Sequence, residues 1–387
     1  MALYDCIVVG AGVIGSSTAY HLAKQGKRTL LLEQFFLPTT RGSSGGQSRI
    51  IRKSYNQPHY KQMLVDAYDM WKTIEDESGE ELYVESGLLN LGRPDAQDVV
   101  EKRASLDLVK EPHEVLSNDQ LKQRYPTLTY PDDFIGTLEY SGGILKGGKC
   151  VAVIQNLVKK YGGEIRDGTK MTELLQEKDT IKVSTTAGDF HARKIIITAG
   201  PWAGKVSEAL GLDLPITPMS IPVYYWKSKD PEQHTVKNGF PVIVHRSSEG
   251  IAYLVPSLEY PGLCKVAINQ NIPKYCDPDS RNSVSDQHDQ YREVVVNYIR
   301  KYLPGLEDTP SIIEYCMYTK SKDVDFILDS HPQNKNILIA TGFTGHGFKI
   351  APSVGKLMAE MATDSKPSYD TTPFRISRFH EDKAVKK

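Results

Sequence analysis

Three glycines near the start of the chain have the spacing of a phosphate-binding turn. Residues 10–15 read "GAGVIG", so Gly10, Gly12 and Gly15 form a G-x-G-x-x-G pattern. Such glycines permit a tight turn, close approach of a pyrophosphate to the backbone, and close packing of helix on strand. Glu33 lies 18 residues beyond Gly15 and can accept hydrogen bonds from adenosine ribose hydroxyls. The pattern predicts a dinucleotide site, and the acidic Glu33 argues against a 2′-phosphate and hence against NADP.

The elements around this pattern are those that a dinucleotide site needs. A strand, "YDCIVV", comes before the glycines, and a helix, "SSTAYHLAKQ", follows them and stops at Gly26. A second strand, "RTLLLE", ends on Glu33, which is the context that gives the glycine pattern its weight. A later strand, "KIIITAG", ends on Ala199 and Gly200, as is usual beside the nucleotide in flavoproteins with two dinucleotide sites. An ordinary β-strand and turn is the other interpretation of this later stretch, which alone favours neither, so the choice between FAD and NAD stays open.

The cysteines raise a second chemical question. The chain has five, an odd number without a C-x-x-C pair, so neither a metal site nor dithiol redox chemistry is expected. Cys316 stands between Tyr315 and Tyr318 in the stretch "EYCMYTKSKDVDFILD". A buried structural thiol is one interpretation of Cys316, and a reactive thiol is the other. Cys6, Cys150 and Cys264 are expected to be core thiols.

Composition excludes several classes of protein. The chain has 387 residues, which suits two domains, and 40% of them are hydrophobic and 25% charged, as in ordinary globular proteins. The net charge of −1 gives no electrostatic reason to bind nucleic acid or an anionic membrane. No apolar run approaches the ~18 residues that span a bilayer. The start, "MALYDCIVVGAG", enters a strand at once, so we expect a protein of a reducing compartment without a leader.

Three further stretches carry a specific resemblance. They are "EQFFLPTTRGSSGGQSRIIRKSY" at 33–55, "CMYT" at 316–319 and "GFTGHGFKIAPSVGK" at 342–356. With the glycine pattern, they resemble the monomeric sarcosine oxidase family, which are flavin amine oxidases of the D-amino-acid-oxidase superfamily. Within it the chain is most similar to the animal peroxisomal sarcosine and L-pipecolate oxidases, from Asp5 to Phe379. The resemblance implies FAD as cofactor and a monomer that oxidises a secondary amino acid with O₂, producing H₂O₂ and an imine that hydrolyses.

The resemblance also implies an α/β fold with two interleaved domains, one Rossmann-like and FAD-binding, the other an antiparallel β-sheet substrate domain. The expected FAD domain comprises residues 1–82, 145–217 and 322–379, the substrate domain residues 83–144 and 218–321, and a disordered tail residues 380–387. Residues 58–80 show helical periodicity, and "GLCKVAINQN" alternates like a strand. "HRSSEGIAYL" predicts a hairpin with its turn at Ser247 to Gly250.

The family further implies roles for individual residues. FAD is attached through a thioether between its 8α-methyl carbon and the cysteine of "CMYT", which is Cys316 here. Arg52 and Lys349 hold the substrate carboxylate, for which a guanidinium is well suited. Lys265 matches the oxygen-activating lysine, and Arg49 matches an arginine across the flavin. The other residues expected to line the substrate cavity are Tyr253 and Tyr318. Those expected to bind FAD are Arg41, Ser43, Ser44, Met171, Ala199, Gly200, Gly342, Gly345, Gly347 and Lys349, besides the three glycines and Glu33.

Each of the expected cations also has a plainer interpretation. Arg52 reads as a surface arginine on a helix, and Lys349 as a solvated loop lysine, because loop lysines are mostly solvated. Lys265 reads as an outward-facing strand lysine. Strict alternation along "LCKVAI" places Lys265 on the face opposite to Cys264 and Val266.

Three positions and the chain end depart from the family pattern. Gly45 stands where relatives commonly have histidine, and Ile268 and Asn269 stand where they carry "YH". The resemblance implies that these positions lie near the flavin and the substrate. Because these changes remove titratable groups, they leave open the pH optimum and the choice among sarcosine, L-pipecolate, L-proline and N-methylated relatives. The chain ends "AVKK" rather than in a peroxisomal tripeptide, so a cytoplasmic location is the alternative to the peroxisome. The functional alternatives are an amine dehydrogenase of the same fold and a non-catalytic flavoprotein assembly factor.

Overall fold

The computed structural model describes residues 3–269, 275–281 and 285–381. The α-helices are α1 (Val13–Lys24), α2 (Pro58–Ser78), α3 (Gln97–Leu108), α4 (Asn118–Arg124), α5 (Gly147–Lys160), α6 (Ala203–Ala209), α7 (Ser285–Tyr302), α8 (Ala351–Ala362) and α9 (Arg378–Glu381). Within these described ranges, no helix has the length and apolar content needed to cross a lipid bilayer. Residues 380 and 381 of the predicted tail belong to α9, and residues 382–387 lie outside the described residues.

The strands form three sheets. In chain order they are β1 (Leu3–Val9), β2 (Thr29–Leu32), β3 (Ser48–Ile51), β4 (Tyr83–Glu85), β5 (Leu88–Gly92), β6 (His113–Leu116), β7 (Ile135–Glu139), β8 (Gly143–Lys146), β9 (Glu164–Arg166), β10 (Met171–Gln176), β11 (Ile181–Thr185), β12 (Gly188–Ile197), β13 (Ile216–Ser228), β14 (Val242–Ser247), β15 (Gly250–Val255), β16 (Leu263–Asn269), β17 (Leu306–Ser321), β18 (Ile327–His331) and β19 (Asn334–Thr341).

The first sheet has a parallel centre in the order β9-β2-β1-β12-β19. Strands β1 and β2 and the carboxyl-terminal parts of β12 and β19 are largely apolar, because helices α1, α5 and α8 pack on one face and a second apolar cluster covers the other. Val8, at the centre, lies opposite Leu31 on one side and Ile196 on the other. The carboxyl ends of β1 and β12 meet at one edge, where a parallel sheet of this type binds its ligand.

The second sheet has the order β17-β13-β16-β15-β14-β5-β7-β6 and is antiparallel except for the parallel pair β14 and β5. One face packs on α7, through side chains such as Val266, Ile268 and Val295. The alternation along β16 therefore directs Lys265 to the other face, as predicted. The predicted hairpin is confirmed as well, since Ser247 lies opposite Gly250 across β14 and β15.

A third, small sheet of β3, β8 and β4 lies beside helix α2. The helical periodicity of 58–80 is confirmed, because Leu64, Ala67, Trp71 and Ile74 are the buried face of α2. The helix ends at Gly79, whose φ of +72° suits glycine. Together the mixed parallel sheet and the antiparallel sheet confirm the predicted α/β fold.

Candidate active site

A cavity of about 770 Å³ lies between the carboxyl edge of the first sheet and the inner face of the second. This volume is typical of cofactor and ligand pockets, which measure ~300–1,000 Å³. The predicted site residues that line the cavity are Gly10, Gly12, Glu33, Ser43, Ser44, Arg49, Met171, Ala199, Gly200, Tyr253, Lys265, Cys316, Tyr318, Gly345 and Gly347. Residues from all parts of the chain therefore meet at one place.

The glycine turn has no room for side chains. Gly10 has a φ of +105°, and a Cβ there would lie 2.6 Å from the Thr198 carbonyl oxygen. A Cβ at Gly15 would lie 1.9 Å from the Gly10 carbonyl oxygen. Glycine is therefore required at Gly10 by the turn and at Gly15 by the direct packing of α1 on that turn.

The N-terminus of α1 opens into the cavity. No side chain caps the helix from Gly12, and no acidic residue lies in the first turn. The Val13 N–H donates to Ser44 Oγ at 3.0 Å. The free N–H groups at the start of a helix carry partial positive charge and bind phosphate. The turn and the helix start together fit the pyrophosphate of FAD.

Glu33 is buried at the end of β2, beside the glycine turn. Its two oxygens accept hydrogen bonds from the N–H groups of Ala11 at 2.9 Å and Phe35 at 3.0 Å. Burial raises the pKa of this carboxyl group, although those N–H groups oppose the shift. A carboxylate has more acceptor sites than these two bonds use, so Glu33 can also accept from the ribose hydroxyls of FAD.

Cys316 differs from the other cysteines in its surroundings. The buried cysteines are Cys6, Cys150, Cys264 and Cys276. Burial raises the pKa of each of these thiols. Cys316 is half-buried and lines the cavity, with its Sγ 4.0 Å from Arg49 Nη2 and 3.7 Å from the Ser43 carbonyl oxygen. A neighbouring guanidinium stabilises negative charge on a sulfur atom.

Lys265 and Arg49 bring two cations into the same cavity. Lys265 Nζ donates to the carbonyl oxygen of Ser48 at 3.1 Å and to its Oγ at 3.4 Å. The Arg49 guanidinium donates to three backbone carbonyl oxygens, those of Ser43, Gly45 and Ser48. No carboxylate of the described residues pairs with either cation. Burial, together with the charge of Arg49, lowers the pKa of Lys265 to about 8.

Tyr253 and Tyr318 add two hydroxyl groups to the cavity wall. Burial raises the pKa of Tyr318 to about 12 and that of Tyr253 well above its ordinary value, so both hydroxyls keep their protons near neutral pH. A Cβ at Gly345 would lie 2.7 Å from the Tyr318 ring. Gly345 therefore makes room for that ring, and its φ of +81° also suits glycine.

Arg52, Lys349 and Tyr55 form a second charged group, which is not part of the cavity lining. Lys349 is only 7% exposed, so it is not a solvated loop lysine. Its Nζ donates to the Tyr55 hydroxyl oxygen at 3.0 Å and to the His346 carbonyl oxygen at 3.3 Å. The Arg52 guanidinium carbon lies 4.8 Å from the centre of the Tyr55 ring.

The cations of this second group lack an ion-pair partner among the described residues, although the charge of the buried Glu139 acts on Arg52. Arg52 Nη1 is buried and has no hydrogen-bond partner in the part of the chain that the structure describes. No carboxylate there pairs with Arg52 or Lys349. Burial opposes ionisation of Tyr55, but the charges of Lys349 and Arg52 outweigh it and lower the pKa of that phenol. The arrangement is one that a bound anion would complete.

Comparison with known proteins decides which family this is. A family model for FAD-dependent oxidoreductases, described as DAO, matches residues 5–361. The chain belongs to this family. FAD is therefore the cofactor, which resolves the choice between FAD and NAD that the glycine turn left open.

The relatives of this FAD-dependent oxidoreductase include several sarcosine oxidases. It is 41% identical to a peroxisomal sarcosine oxidase of Homo sapiens, over 97% of this chain and 96% of the relative. It is 31% identical to a monomeric sarcosine oxidase of Arthrobacter sp. (strain TE1826), with the same coverage. The predicted family is confirmed. NikD, an amino acid oxidase essential for nikkomycin biosynthesis, has the same fold, with a TM-score of 0.85, 21% identity, and coverage of 97% of this chain and 98% of that one.

Some predicted residues of the oxidoreductase lie away from the cavity. Besides Arg52 and Lys349, they are Gly15, Arg41 and Gly342. Arg41 is exposed, with its guanidinium carbon 5.5 Å from the centre of the Phe35 ring. Gly342 has a φ of +71° and shapes the turn after β19, where a Cβ would lie 3.2 Å from Ser321. The structure therefore brings most of the predicted residues together, but not these.

The departures from the family pattern have different structural settings. A Cβ at Gly45 would lie 2.7 Å from the Thr40 Cα, so this backbone excludes a histidine there. Ile268 was expected near flavin and substrate, and that expectation is wrong, because its side chain packs in the core beneath α7. Asn269 is exposed at the end of β16.

Sequence reasoning missed several residues that hold the site together. Thr198 Oγ1 donates to the Val9 and Gly10 carbonyl oxygens at 3.0 and 2.9 Å. Thr198 lies two residues before Gly200, the glycine by which the sequence indicated that this strand lies beside the nucleotide. Gln155 donates to the Ala11 carbonyl oxygen from helix α5, and no sequence signal marks it. Over the described ranges, no three His, Cys, Asp or Glu side chains come together to hold a metal ion.

Proposed function

We propose that this enzyme oxidises a secondary amino acid, such as sarcosine, L-pipecolate or L-proline, with O₂ as the acceptor and H₂O₂ and a hydrolysing imine as products. The observation that carries the proposal is the second charged group. Arg52 and Lys349 are cations without a carboxylate partner among the described residues, and they lie close to the flavin cavity. A substrate carboxylate supplies the missing negative charge. The names of the sarcosine oxidase relatives support the same substrate class.

FAD occupies the cavity in this proposal. The turn at Gly10 and Gly12 and the start of α1 hold the pyrophosphate, and Glu33 holds the ribose. Bound FAD supplies the redox chemistry, accepting a hydride equivalent from the carbon beside the substrate nitrogen. Residues 1–82, 145–217 and 322–379 form the FAD domain, and residues 83–144 and 218–321 form the substrate domain that covers it.

Cys316 is the proposed point of covalent attachment. It is the cysteine that lines the cavity, and a guanidinium lies beside its sulfur. A thioether at Cys316 would tether the flavin to strand β17, on which Cys316 lies beside Arg49. The other four cysteines are buried and have raised pKa values, so they suit a packing role.

The substrate is held by charge and by shape. Arg52 and Lys349 bind the carboxylate through charge-assisted hydrogen bonds, each contributing about 1.5–3 kcal/mol. The protonated hydroxyls of Tyr253 and Tyr318 line the cavity itself. The anchor accepts any small amino acid, so the fit of the nitrogen substituents decides between open-chain and cyclic secondary amines.

Lys265 and Arg49 supply the positive charge for the reaction with O₂. Their hydrogen-bond partners are neutral carbonyl and hydroxyl oxygens, and no carboxylate of the described residues pairs with them, although the charges of Glu259 and Glu314 also act on Lys265. A fixed cation in a water-poor site stabilises the anion that forms when O₂ accepts an electron. This favours an oxidase over a dehydrogenase, although the fold also serves an L-proline dehydrogenase from P. horikoshii, with a TM-score of 0.81 and 20% identity.

Quaternary state and location follow the relatives in this proposal. Several relatives at 29–31% identity are monomeric sarcosine oxidases, which supports a monomer. Two relatives at 41% identity are peroxisomal, which supports a peroxisomal enzyme despite the sequence "AVKK".

An oxygen-electrode panel tests the proposed function. Sarcosine, L-pipecolate and L-proline are each offered to the holoenzyme in air, and flavin bleaching is followed separately without air. A secondary amine that lacks a carboxylate serves as the control substrate. We expect oxygen uptake with peroxide formation from at least one amino acid and almost none from the control. Flavin bleaching without oxygen uptake indicates a dehydrogenase, and equal turnover of the control contradicts the carboxylate anchor.

A further inference from the structure

Tyr55 occupies the position of a counter-ion between the two cations of the proposed carboxylate anchor. Its hydroxyl oxygen accepts from Lys349 Nζ at 3.0 Å, and the Arg52 guanidinium lies over its ring at 4.8 Å. Within the described residues, the other hydrogen-bond partner of the Lys349 ammonium is a neutral backbone carbonyl, that of His346. Two buried cations and one phenol therefore share a small space. The charge of the buried Glu139 also acts on Arg52, but Tyr55 is the side chain bonded to Lys349 that can provide negative charge.

The groups that face Tyr55 from other elements do not compete for this role. They are His346 and Lys349 from the segment after β19, Tyr60 from α2, Ser105 from α3 and Tyr318 from β17. Burial lowers the pKa of His346 to about 3, so the imidazole is neutral. Burial and the nearby Asp325 raise the pKa of Tyr60, whose hydroxyl donates to that carboxylate. Asp325 is itself held by His59 as well.

The proposed substrate brings a proton that must be removed. An amino acid arrives with its nitrogen protonated, and only the neutral amine has the lone pair that drives hydride loss from the neighbouring carbon. The carboxylate of an α-amino acid lies two bonds from the nitrogen. When Lys349 binds that carboxylate, the nitrogen comes within reach of the oxygen that lies 3.0 Å from Lys349 Nζ.

We propose that Tyr55 accepts the proton of the substrate ammonium, and that binding of the substrate carboxylate by Lys349 triggers this proton transfer. This rests on the proposed function. The carboxylate takes over the Lys349 hydrogen bond, so the phenolate loses its counter-charge and its affinity for a proton rises. The N–H bond of the ammonium breaks as the O–H bond of Tyr55 forms. The products of this step are a neutral amine and a neutral phenol, and no electrons are transferred.

Proton uptake on binding of an amine-free carboxylate tests this directly. Propionate has the carboxylate that Arg52 and Lys349 would bind, but it has no ammonium group. The proton that Tyr55 accepts therefore has to come from solvent. A pH-indicator dye in a weakly buffered solution of the holoenzyme detects the loss of that proton from solvent. Across a pH series, we expect wild type to take up close to one proton per propionate bound at the maximum. Tyr55→Phe loses most of this uptake. Tyr60→Phe, which removes the hydroxyl of the neighbouring ring, keeps it.

A second variant and a second readout keep the test decisive. Lys349→Gln removes the counter-charge of the phenolate, so we expect this variant to lose the proton uptake as well. It replaces Tyr55→Phe in the experiment if Tyr55→Phe does not retain flavin. With a reactive amino acid, Tyr55→Phe moves the acid limb of anaerobic flavin reduction up by about one pH unit or more, and Tyr60→Phe does not. Absent uptake in wild type, or unchanged uptake in Tyr55→Phe, overturns the assignment. Failure of every amino acid to bleach the flavin overturns the proposed function but leaves the propionate result interpretable.

Discussion

Two pairs of cations differ in what surrounds their charge. The flavin-side pair is Arg49 and Lys265, whose hydrogen bonds go to carbonyl and hydroxyl oxygens. The carboxylate-side pair is Arg52 and Lys349, whose lysine is bonded to the phenol of Tyr55. The first pair has neutral carbonyl and hydroxyl oxygens as hydrogen-bond partners, so its charge does not depend on the protonation of a bonded side chain. The second pair meets a phenol that can gain or lose a proton, so part of its charge is balanced until an anion arrives.

The backbone segments that carry the lysines of the two pairs also differ. Lys265 lies in the middle of β16, with strands on both sides, and its backbone has little freedom. Lys349 lies in the short 3₁₀-helix Phe348–Ile350, just after the glycines Gly345 and Gly347. A fixed charge suits a rigid strand, and a charge that changes partner suits a turn. Burial alone therefore does not define the role of a lysine, because that role depends on the groups to which the lysine is hydrogen-bonded.

The largest expected effect concerns the cysteine beside the flavin-side pair. Cys316→Ser should release all of the flavin into the supernatant after acid precipitation, because a thioether survives unfolding and a non-covalent complex does not. The wild-type pellet and that of the matched control Cys276→Ser should stay yellow. A yellow pellet from Cys316→Ser would show that the attachment point is another residue.

The next largest effect concerns the fixed charge of the flavin-side pair. Lys265→Met should slow reoxidation of the reduced enzyme by O₂ by about 10²–10³, the loss typical of one preorganised electrostatic partner. Lys265→Arg should recover part of that rate, because the charge matters more than the shape. Stopped-flow mixing with oxygenated buffer measures both variants. Equal reoxidation rates for the Met and Arg variants would show that the charge of Lys265 does not accelerate the reaction with O₂.

A smaller effect is expected from the carboxylate-side pair. Arg52→Ala and Lys349→Ala should each lower kcat/KM by about ten- to a hundred-fold, since a hydrogen bond to a charged group contributes about 1.5–3 kcal/mol. The exposed Lys72→Ala on α2 is the control and should change nothing. Binding of a carboxylate inhibitor provides an independent measurement, and unaltered inhibitor affinity in both variants would place the anchor elsewhere.

The smallest effect is a dependence on pH. Burial lowers the pKa of Lys265 to about 8, so the lysine is cationic below that pH and neutral above it. The rate of reoxidation by O₂ should therefore fall several-fold as pH rises through about 8. Lys265→Arg should abolish this fall, because a guanidinium keeps its proton. A rate that rises through the same range would contradict the charge-based role.

Local patterns were enough to predict much of this molecule. The helical period of 58–80 identified α2 and its buried face, and alternation along β16 put Lys265 opposite the core residues. The glycine spacing located the turn before α1, because sterics there leave no alternative. These features depend on neighbours in sequence, so the sequence alone specifies them.

The parts that escaped prediction depend on distant neighbours. Tyr55 meets Lys349 only because the segment after β3 and the turn after β19 come together across the folded chain. The expectation that Ile268 lies near the substrate was wrong for a different reason. It came from the family resemblance, whereas alternation along β16 places Ile268 with Cys264 and Val266 on the face that packs on α7. The partners of a buried charge are set by tertiary packing, which no local pattern records.

The central claim is that the two cation pairs do separate work, and paired half-reaction kinetics test it most directly. Lys265→Met and Lys349→Met are each measured in the anaerobic reduction of the flavin by substrate and in its reoxidation by O₂. We predict a crossed result: Lys265→Met reduces the flavin within about tenfold of wild type, a barrier change of ~1.4 kcal/mol, but reoxidises slowly. Lys349→Met reduces it slowly but reoxidises within the same margin. If both variants slow both half-reactions to the same extent, the two pairs form a single functional unit and the account is wrong.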